Sequence, residues 1–174
     1  MNSLQKQHLI LIGFMGTGKS TVAASLSRKY HMEIIEMDEV LARQEGMSIP
    51  EIFQVHGEPY FRKLETELLR DLQNCQNKII SCGGGAALRE ENVKEMKKNG
   101  KVVLLTASPE TILSRTKADT SRPLLKDRKT PESIASLMEQ RQDKYLAAAD
   151  FVISTDNKSV AEICQEIAEK LLLS

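Results

Sequence analysis

The sequence contains no tryptophan, only three cysteines and no excess of charge of either sign. Lys plus Arg and Asp plus Glu each number 24, so the formal net charge is zero. A protein that coats nucleic acid or an anionic membrane needs a basic excess, and the balance argues against both partners. Aromatic residues make up 4% of the chain, too few for recognition of single strands by base stacking.

The cysteines, Cys75, Cys82 and Cys164, form neither a CxxC pair nor a Cys/His metal spacing. No apolar run approaches the roughly 18 residues of a membrane span. The first ten residues lack the charged, apolar and small-residue segments of a signal peptide. We therefore expect reduced thiols and a cytoplasmic protein. Its length, 174 residues, fits one domain over residues 1–174.

Short apolar runs alternate with longer helical patterns along the whole chain. The runs are residues 8–12, 34–37, 79–82, 102–106 and 151–154. Their continuous apolarity is typical of a parallel sheet covered on both faces. Helix start signals lie between them at Ser48, Thr130 and Ser159. The sequence predicts an α/β fold with three layers around a mainly five-stranded parallel sheet.

Two regions break this alternation. Residues 38–74 hold three consecutive helical patterns with no strand between them, which predicts a helical insert beside the sheet. Residues 117–130 are polar, highly charged and without period, which predicts a mobile lid. Inserts and loops at the carboxyl ends of parallel strands are where substrates bind in such folds.

Residues 13–20 read GFMGTGKS, directly between the first strand and a helical run. This is the Walker A pattern in the context that it requires. Its glycines let backbone N–H groups wrap a phosphate, and the following helix adds its positive end. The lysine can reach the β- and γ-phosphates, and the serine hydroxyl can ligate Mg²⁺. The predicted nucleotide-binding residues are Gly16, Thr17, Gly18, Lys19, Ser20 and Thr21.

Several classes of protein share this loop. The N-K-x-D motif with which GTPases read guanine is missing, and no strand ends in the aliphatic run and acidic pair of large ATPases. Small size, a helical insert and a basic loop favour a kinase that closes over a small acceptor.

Five further segments extend the pattern beyond the phosphate loop. They are EMD at 36–38, SIPEIF with GEPYFRKLE at 48–65, GGG at 83–85, RPLL at 122–125 and R-x-x-x-Y at 141–145. Together with GFMGTGKS these segments, in this order and over nearly the whole length, make the chain resemble the shikimate kinases. The resemblance implies transfer of the ATP γ-phosphate to the 3-hydroxyl of shikimate, giving shikimate 3-phosphate and ADP in aromatic amino-acid biosynthesis.

The resemblance also implies roles in binding shikimate. Arg62 and Arg141 correspond to the arginines that bind the carboxylate, a task that suits bidentate guanidinium forks. Asp38 corresponds to the aspartate that orients the reacting hydroxyl and can take its proton, although an N-cap of the following helix is an alternative. Gly84 corresponds to a glycine that offers its amide to the substrate. Glu65 is expected to hold Arg62, unless it is an ordinary exposed helix carboxylate.

On the nucleotide side, Arg122 matches a lid arginine that reaches the transferring phosphate, so Lys19, Asp38 and Arg122 are the expected catalytic residues. Arg115 matches a position near adenine. Glu36 stands where relatives usually have Asp near Mg²⁺, acting through a bound water, although a surface glutamate is the alternative. ATP as co-substrate, Mg²⁺ and a monomeric protein complete the expectations.

Two other functions remain open at this stage. A kinase of another small polyol acid such as gluconate would share the fold, but such kinases tend to place a histidine soon after the second-strand aspartate, and residues 39–41 are EVL. A non-catalytic nucleotide-binding regulator would also share it. Retention of both Lys19 and Asp38 argues against the regulator.

Overall fold

The protein is built around a parallel β-sheet. The structure is a computed structural model that describes residues 7–116 and 130–172. Within these residues the strands are β1 His8–Ile12, β2 Glu33–Glu36, β3 Lys78–Ser81, β4 Gly100–Thr106 and β5 Phe151–Ser154. Their order across the sheet is β2-β3-β1-β4-β5, and every neighbouring pair is parallel. The predicted α/β fold with a five-stranded parallel sheet is confirmed.

Three strands differ slightly from their predicted bounds. β2 and β3 each begin and end one residue earlier, and β2 stops at Glu36 because a helix begins directly at Met37. β4 begins two residues earlier, since Gly100 pairs with His8 of β1. A Cβ atom at Gly100 would lie only 2.5 Å from the Cδ1 atom of Ile10. The missing side chain therefore lets β4 lie against β1.

Each of the three predicted start signals precedes a helix, and the described residues contain eight helices in all. They are α1 Lys19–Tyr30, α2 Met37–Glu45, α3 Ile49–His56, α4 Glu58–Asp71, α5 Glu90–Asn99, α6 Pro109–Thr116, α7 Pro131–Ala148 and α8 Val160–Leu172, with short 3₁₀ turns at Leu72–Asn74 and Ala86–Leu88. Ser48 and Glu51 form a capping box at α3, and Ser159 exchanges the same pair of hydrogen bonds with Glu162 at α8. Thr130 caps α7. All three predicted caps are confirmed.

Helices cover both faces of the sheet. Leu9 and Leu11 of β1 pack in a core with α1 and α8. Ile10 and Ile12 point the other way, into a core shared with α2, α4, α5 and α7. This alternation produces the predicted three layers. In the ranges that the structure describes, no helix is long and apolar enough to cross a membrane.

All five strands end at one edge of the sheet, and the strand order decides which loops meet there. β1 is central, so the phosphate loop lies in the middle of that edge. The residues after β2 and β3 lie on one side of it, and those after β4 and β5 lie on the other. The predicted helical region 38–74 corresponds to α2, α3 and α4, beside β2 and β3. The predicted lid, apart from Thr130, falls outside the described residues.

Candidate active site

Two glycines of the phosphate loop adopt left-handed backbone conformations. Gly16 has φ 77° and Gly18 has φ 95°, conformations that other residues rarely adopt. A Cβ atom at Gly16 would also lie 2.8 Å from Cγ2 of Thr116. The hydroxyl of Thr17 is fully buried and donates a hydrogen bond to the Phe14 carbonyl at 2.8 Å. The Thr17 side chain therefore stabilises the loop conformation from its buried side.

Lys19 begins α1 and reaches back across the loop. Its Nζ atom donates hydrogen bonds to the carbonyls of Gly13 at 2.9 Å and Phe14 at 3.0 Å. Ser20 and Thr21 are exposed in the first turn of α1, which contains no acidic side chain. A helix N-terminus with an adjacent lysine and no carboxylate is electrostatically suited to a phosphate.

Beside this loop, the first and third of the glycines at residues 83–85 leave no room for a side chain. A Cβ atom on the first glycine would lie 2.8 Å from Oδ1 of Asp38, and one on the third would overlap the guanidinium of Arg62. On the middle glycine it would lie 3.8 Å from Nη1 of Arg141 and equally far from the carbonyl of Gly13. We call Asp38, Arg62, Arg141 and residues 83–85 the triple-glycine basin. The four predicted substrate-binding residues therefore come together next to the phosphate loop.

Arg62 is held in the basin by charges on α4. Its Nη1 donates to Oε2 of Glu65 at 2.8 Å and its Nη2 to Oε1 of Glu58 at 2.9 Å. Burial acts to lower the pKa of Arg62, but the two glutamates outweigh it and raise the pKa. The guanidinium carbon of Arg62 lies 5.4 Å from the ring centre of Phe61, so an aromatic ring lies against the charged group. Glu65 is 0% exposed, and the alternative of an exposed carboxylate is wrong.

Arg141 and Tyr145 occupy successive turns of α7 and both face the basin. The guanidinium carbon of Arg141 lies 5.7 Å from the ring centre of Phe14 in the phosphate loop. The hydroxyl of Tyr145 donates to the carbonyl of Gly84 at 2.5 Å. Burial raises the pKa of Tyr145, although the charge of Arg141 opposes the shift. Sequence reasoning assigned Tyr145 no role, yet its spacing of four residues from Arg141 already placed both on one helix face.

Asp38 is exposed in the first turn of α2. The N-cap of α2 is Glu36, so the alternative in which Asp38 caps the helix is wrong. Burial raises the pKa of the neighbouring Cys82 thiol strongly. The charges of Glu65, Asp38 and Glu36 raise it further, and that of Lys19 lowers it. These charged groups therefore surround the end of β3.

Arg115 lies on the opposite side of the phosphate loop from the basin. Its Nη1 donates to the carbonyl of Gly16 at 3.2 Å and to Oγ1 of Thr155 at 3.0 Å. Thr155 directly follows β5 and was not singled out by its sequence. The structure thus separates Arg115 from Arg62 and Arg141 and attaches it to the loop. Arg122, the remaining predicted arginine, lies outside the described residues.

Two oxygen donors among the predicted site residues are compatible with magnesium. Ser20 presents an exposed hydroxyl, and Glu36 is half-buried at the end of β2. Across residues 7–116 and 130–172, no three His, Cys, Asp or Glu side chains cluster to form a metal cage. Mg²⁺ prefers a few hard oxygen donors together with waters and substrate phosphates. Ser20 and Glu36 therefore fit this ion in combination with a nucleotide.

The sheet order, the phosphate loop with its lysine, and the adjoining basin define a P-loop phosphotransferase that acts on small molecules. The family model for shikimate kinase matches residues 15–172, and the chain belongs to this family. It is thus an ATP-dependent enzyme that phosphorylates a hydroxyl group. The predicted family and enzyme class are confirmed.

Individual relatives agree with this assignment. The chain is 45% identical to a shikimate kinase of Geobacter sulfurreducens over 93% of its own length and 89% of the relative's. A structure of shikimate kinase from Acinetobacter baumannii in complex with shikimate has a TM-score of 0.90 and 32% identity, covering 97% of this chain and 94% of that one. A gluconokinase from Sinorhizobium meliloti, at TM-score 0.57 and 16% identity with 97% and 94% coverage, shares the fold alone. The comparisons therefore favour shikimate kinase over the gluconate alternative.

Proposed function

We propose that this chain transfers the γ-phosphate of ATP to the 3-hydroxyl of shikimate, giving shikimate 3-phosphate and ADP. The observation that carries the proposal is the meeting of two arginines and an exposed aspartate at a triple glycine beside the phosphate loop. Shikimate is a small cyclic carboxylate with three hydroxyls. Guanidinium forks suit its carboxylate, and an aspartate suits its hydroxyls.

The carboxylate of shikimate would bind between Arg62 and Arg141. Glu58 and Glu65 hold the first guanidinium in place, and the ring of Phe14 lies against the second. Because both guanidinium groups are oriented before the substrate arrives, binding costs little side-chain conformational entropy. In this proposal residues 38–74 form the helical substrate-binding region, to which α2 and α4 contribute Asp38 and Arg62.

The reacting 3-hydroxyl would lie against Asp38. The carboxylate orients the hydroxyl oxygen toward the γ-phosphorus and accepts its proton as the new O–P bond forms and the bond to ADP breaks. The Gly84 amide donates to the substrate, and Lys19 exchanges its loop carbonyls for phosphate oxygens. Arg122 is proposed, from the family resemblance, to reach the same phosphate. Phosphoryl transfer depends mainly on such positioning and charge stabilisation.

Residues 16–21 would hold the nucleotide phosphates, and Arg115, attached to Thr155 and the Gly16 carbonyl, is proposed to lie near the base. Ser20 would hold magnesium directly and Glu36 through a water. When bound, the ion neutralises charge on the β- and γ-phosphate oxygens. We further propose a cytoplasmic monomer that binds neither nucleic acid nor a membrane. The zero net charge argues against those two partners, and a mass measurement in solution tests the oligomeric state.

Acceptor-dependent release of ADP tests the proposal. With ATP and magnesium present, shikimate should support turnover, whereas gluconate and the absence of an acceptor should give only background. The methyl ester of shikimate is a matched probe, because it keeps every hydroxyl and removes the carboxylate charge. Its kcat/KM should be lower by about 1.5–3 kcal/mol, the scale of a charged hydrogen bond. Equal turnover of gluconate and shikimate would contradict the assignment.

A further inference from the structure

Glu65 is a completely buried carboxylate in the wall of the triple-glycine basin. Its Oε2 accepts a hydrogen bond from Nη1 of Arg62 at 2.8 Å. Its Oε1 is buried and, among the described residues, has no hydrogen-bond partner. Ionised, this oxygen would carry negative charge without a donor in a site shielded from water, which is costly. A proton on Oε1 would remove that cost.

Charged groups from several elements face Glu65. A Cβ atom built on Gly83 would lie 3.3 Å from Oε1 of Glu65 and 2.8 Å from Oδ1 of Asp38 on α2, so two carboxyl groups approach one point. Arg62 comes from its own helix, Arg89 from the start of α5, and the Cys82 thiol from the end of β3. Burial raises the pKa of Glu65 to about 7, with Asp38 adding to the shift and the two arginines opposing it.

The charge on Arg62 is already balanced before any substrate binds. Glu58 contacts Nη2 at 2.9 Å and Nε at 3.1 Å, and Glu65 contacts Nη1. A substrate carboxylate would be a third carboxylate around one guanidinium, with Asp38 close by. Added negative charge favours the protonated form of a neighbouring carboxyl group. Among the surrounding carboxylates, Glu65 is the fully buried one, with an oxygen ready to receive a proton.

We propose that Glu65 takes up a proton from solvent when an anionic substrate binds at Arg62, so that the buried Arg62–Glu65 ion pair is replaced by a pair between Arg62 and the substrate carboxylate. The proton goes to Oε1, while Oε2 keeps its hydrogen bond to Arg62. Glu65 is thus a positioning residue that acts through Arg62. This inference rests on the proposed function, because it requires a carboxylate substrate in the basin.

The direction of the pH dependence follows from linkage. If binding takes up a proton, affinity is highest where free Glu65 is already protonated, below its pKa of about 7. Above that pH the affinity for shikimate should fall by up to about tenfold per pH unit. The KM for shikimate should rise accordingly, while kcat at saturating shikimate stays level, because the bound form already carries the proton.

Calorimetric titration with shikimate alone measures the proton directly. Heats recorded in two buffers of different ionisation enthalpy should show uptake of about half a proton at pH 7, approaching one at pH 8. Glu65→Gln mimics the protonated carboxyl group, so it should show no uptake and an affinity independent of pH. Glu58→Gln is the matched control, because it removes the exposed glutamate from the same guanidinium and should keep the uptake.

A second variant covers the case in which Glu65→Gln does not fold. The charge of Arg89 lowers the pKa of Glu65, so Arg89→Gln should move the midpoint of proton uptake to higher pH. No uptake in the parent between pH 6 and 9, unchanged uptake in a folded Glu65→Gln protein, or an unmoved midpoint in Arg89→Gln would each overturn the inference. If shikimate is turned over with a KM that does not depend on pH, this inference is overturned and the proposed function stands. If shikimate does not bind, the proposed function is overturned.

Discussion

The phosphate loop and the triple-glycine basin lie side by side but are built differently. The loop is one continuous segment whose contacts are backbone turns, a buried threonine and the first turn of α1. The basin collects side chains from α2, α4 and α7 around residues 83–85. The geometry of the phosphate loop is therefore set by local backbone conformation. The geometry of the basin depends on long-range packing and on a balance between buried and exposed charges.

This contrast predicts two kinds of mutational effect. A change in the loop should lower the rate of phosphoryl transfer whatever the acceptor, because in the proposed function the loop binds the group being transferred. A change in the basin should act on shikimate and leave ATP binding alone. The following variants test whether the two regions separate in this way, in order of decreasing expected effect.

Lys19→Ala is the strongest test of the loop. In the proposed function Lys19 interacts with the transferring phosphate, so loss of its charge should lower kcat by at least about a hundredfold. Steady-state kinetics with saturating shikimate measures it, and an unchanged circular dichroism spectrum shows that the variant is folded. A folded Lys19→Ala protein with near-normal kcat would contradict the role given to the loop.

Gly85→Ala should be the strongest test of the basin. The new methyl group would overlap the guanidinium of Arg62, while the backbone φ of −92° at Gly85 is one that alanine adopts. Displacement of Arg62 should cost kcat/KM for shikimate up to about 3 kcal/mol, or roughly a hundredfold. The KM for ATP should not change.

A double variant shows whether this effect passes through the arginine. If the methyl group acts by displacing Arg62, adding Gly85→Ala to Arg62→Lys should cost much less than the single change costs the parent, because interacting sites are not additive. Full additivity would mean that Gly85→Ala disturbs something else.

The same contrast explains how much of the site could be predicted from the sequence. The loop was predicted residue by residue because its glycines, lysine and serine act within eight consecutive positions. Asp38, Arg62 and Arg141 entered through motif resemblance. Nothing in the spacing shows that Glu65 is fully buried, with one oxygen that has no hydrogen-bond partner in the described part of the chain, because burial depends on how distant segments pack around it.

Arg62→Lys and Arg141→Lys should have smaller effects than Gly85→Ala. Lysine keeps the positive charge but cannot reproduce a bidentate fork, so we expect a loss of about 1.5 kcal/mol in kcat/KM for shikimate, or roughly tenfold. The shikimate methyl ester should respond less than shikimate to either change, because it lacks the charge that the forks bind. A rise in KM for ATP with an unchanged KM for shikimate would place these arginines on the wrong substrate.

Glu36 should give the smallest effect, at the boundary between the two regions. It ends β2 and is half-buried, where the family resemblance implies an aspartate that acts on magnesium through a water. Glutamate adds one methylene, which extends its reach by about 1.5 Å. Since Mg²⁺ keeps several waters, its charge should matter more than its length. Glu36→Asp should therefore stay within about tenfold of the parent rate, whereas Glu36→Gln should need clearly more Mg²⁺ for half-maximal rate. A magnesium titration of Glu36→Gln that overlays the parent curve would make Glu36 a surface glutamate and leave Ser20 as the proposed protein contact to the ion.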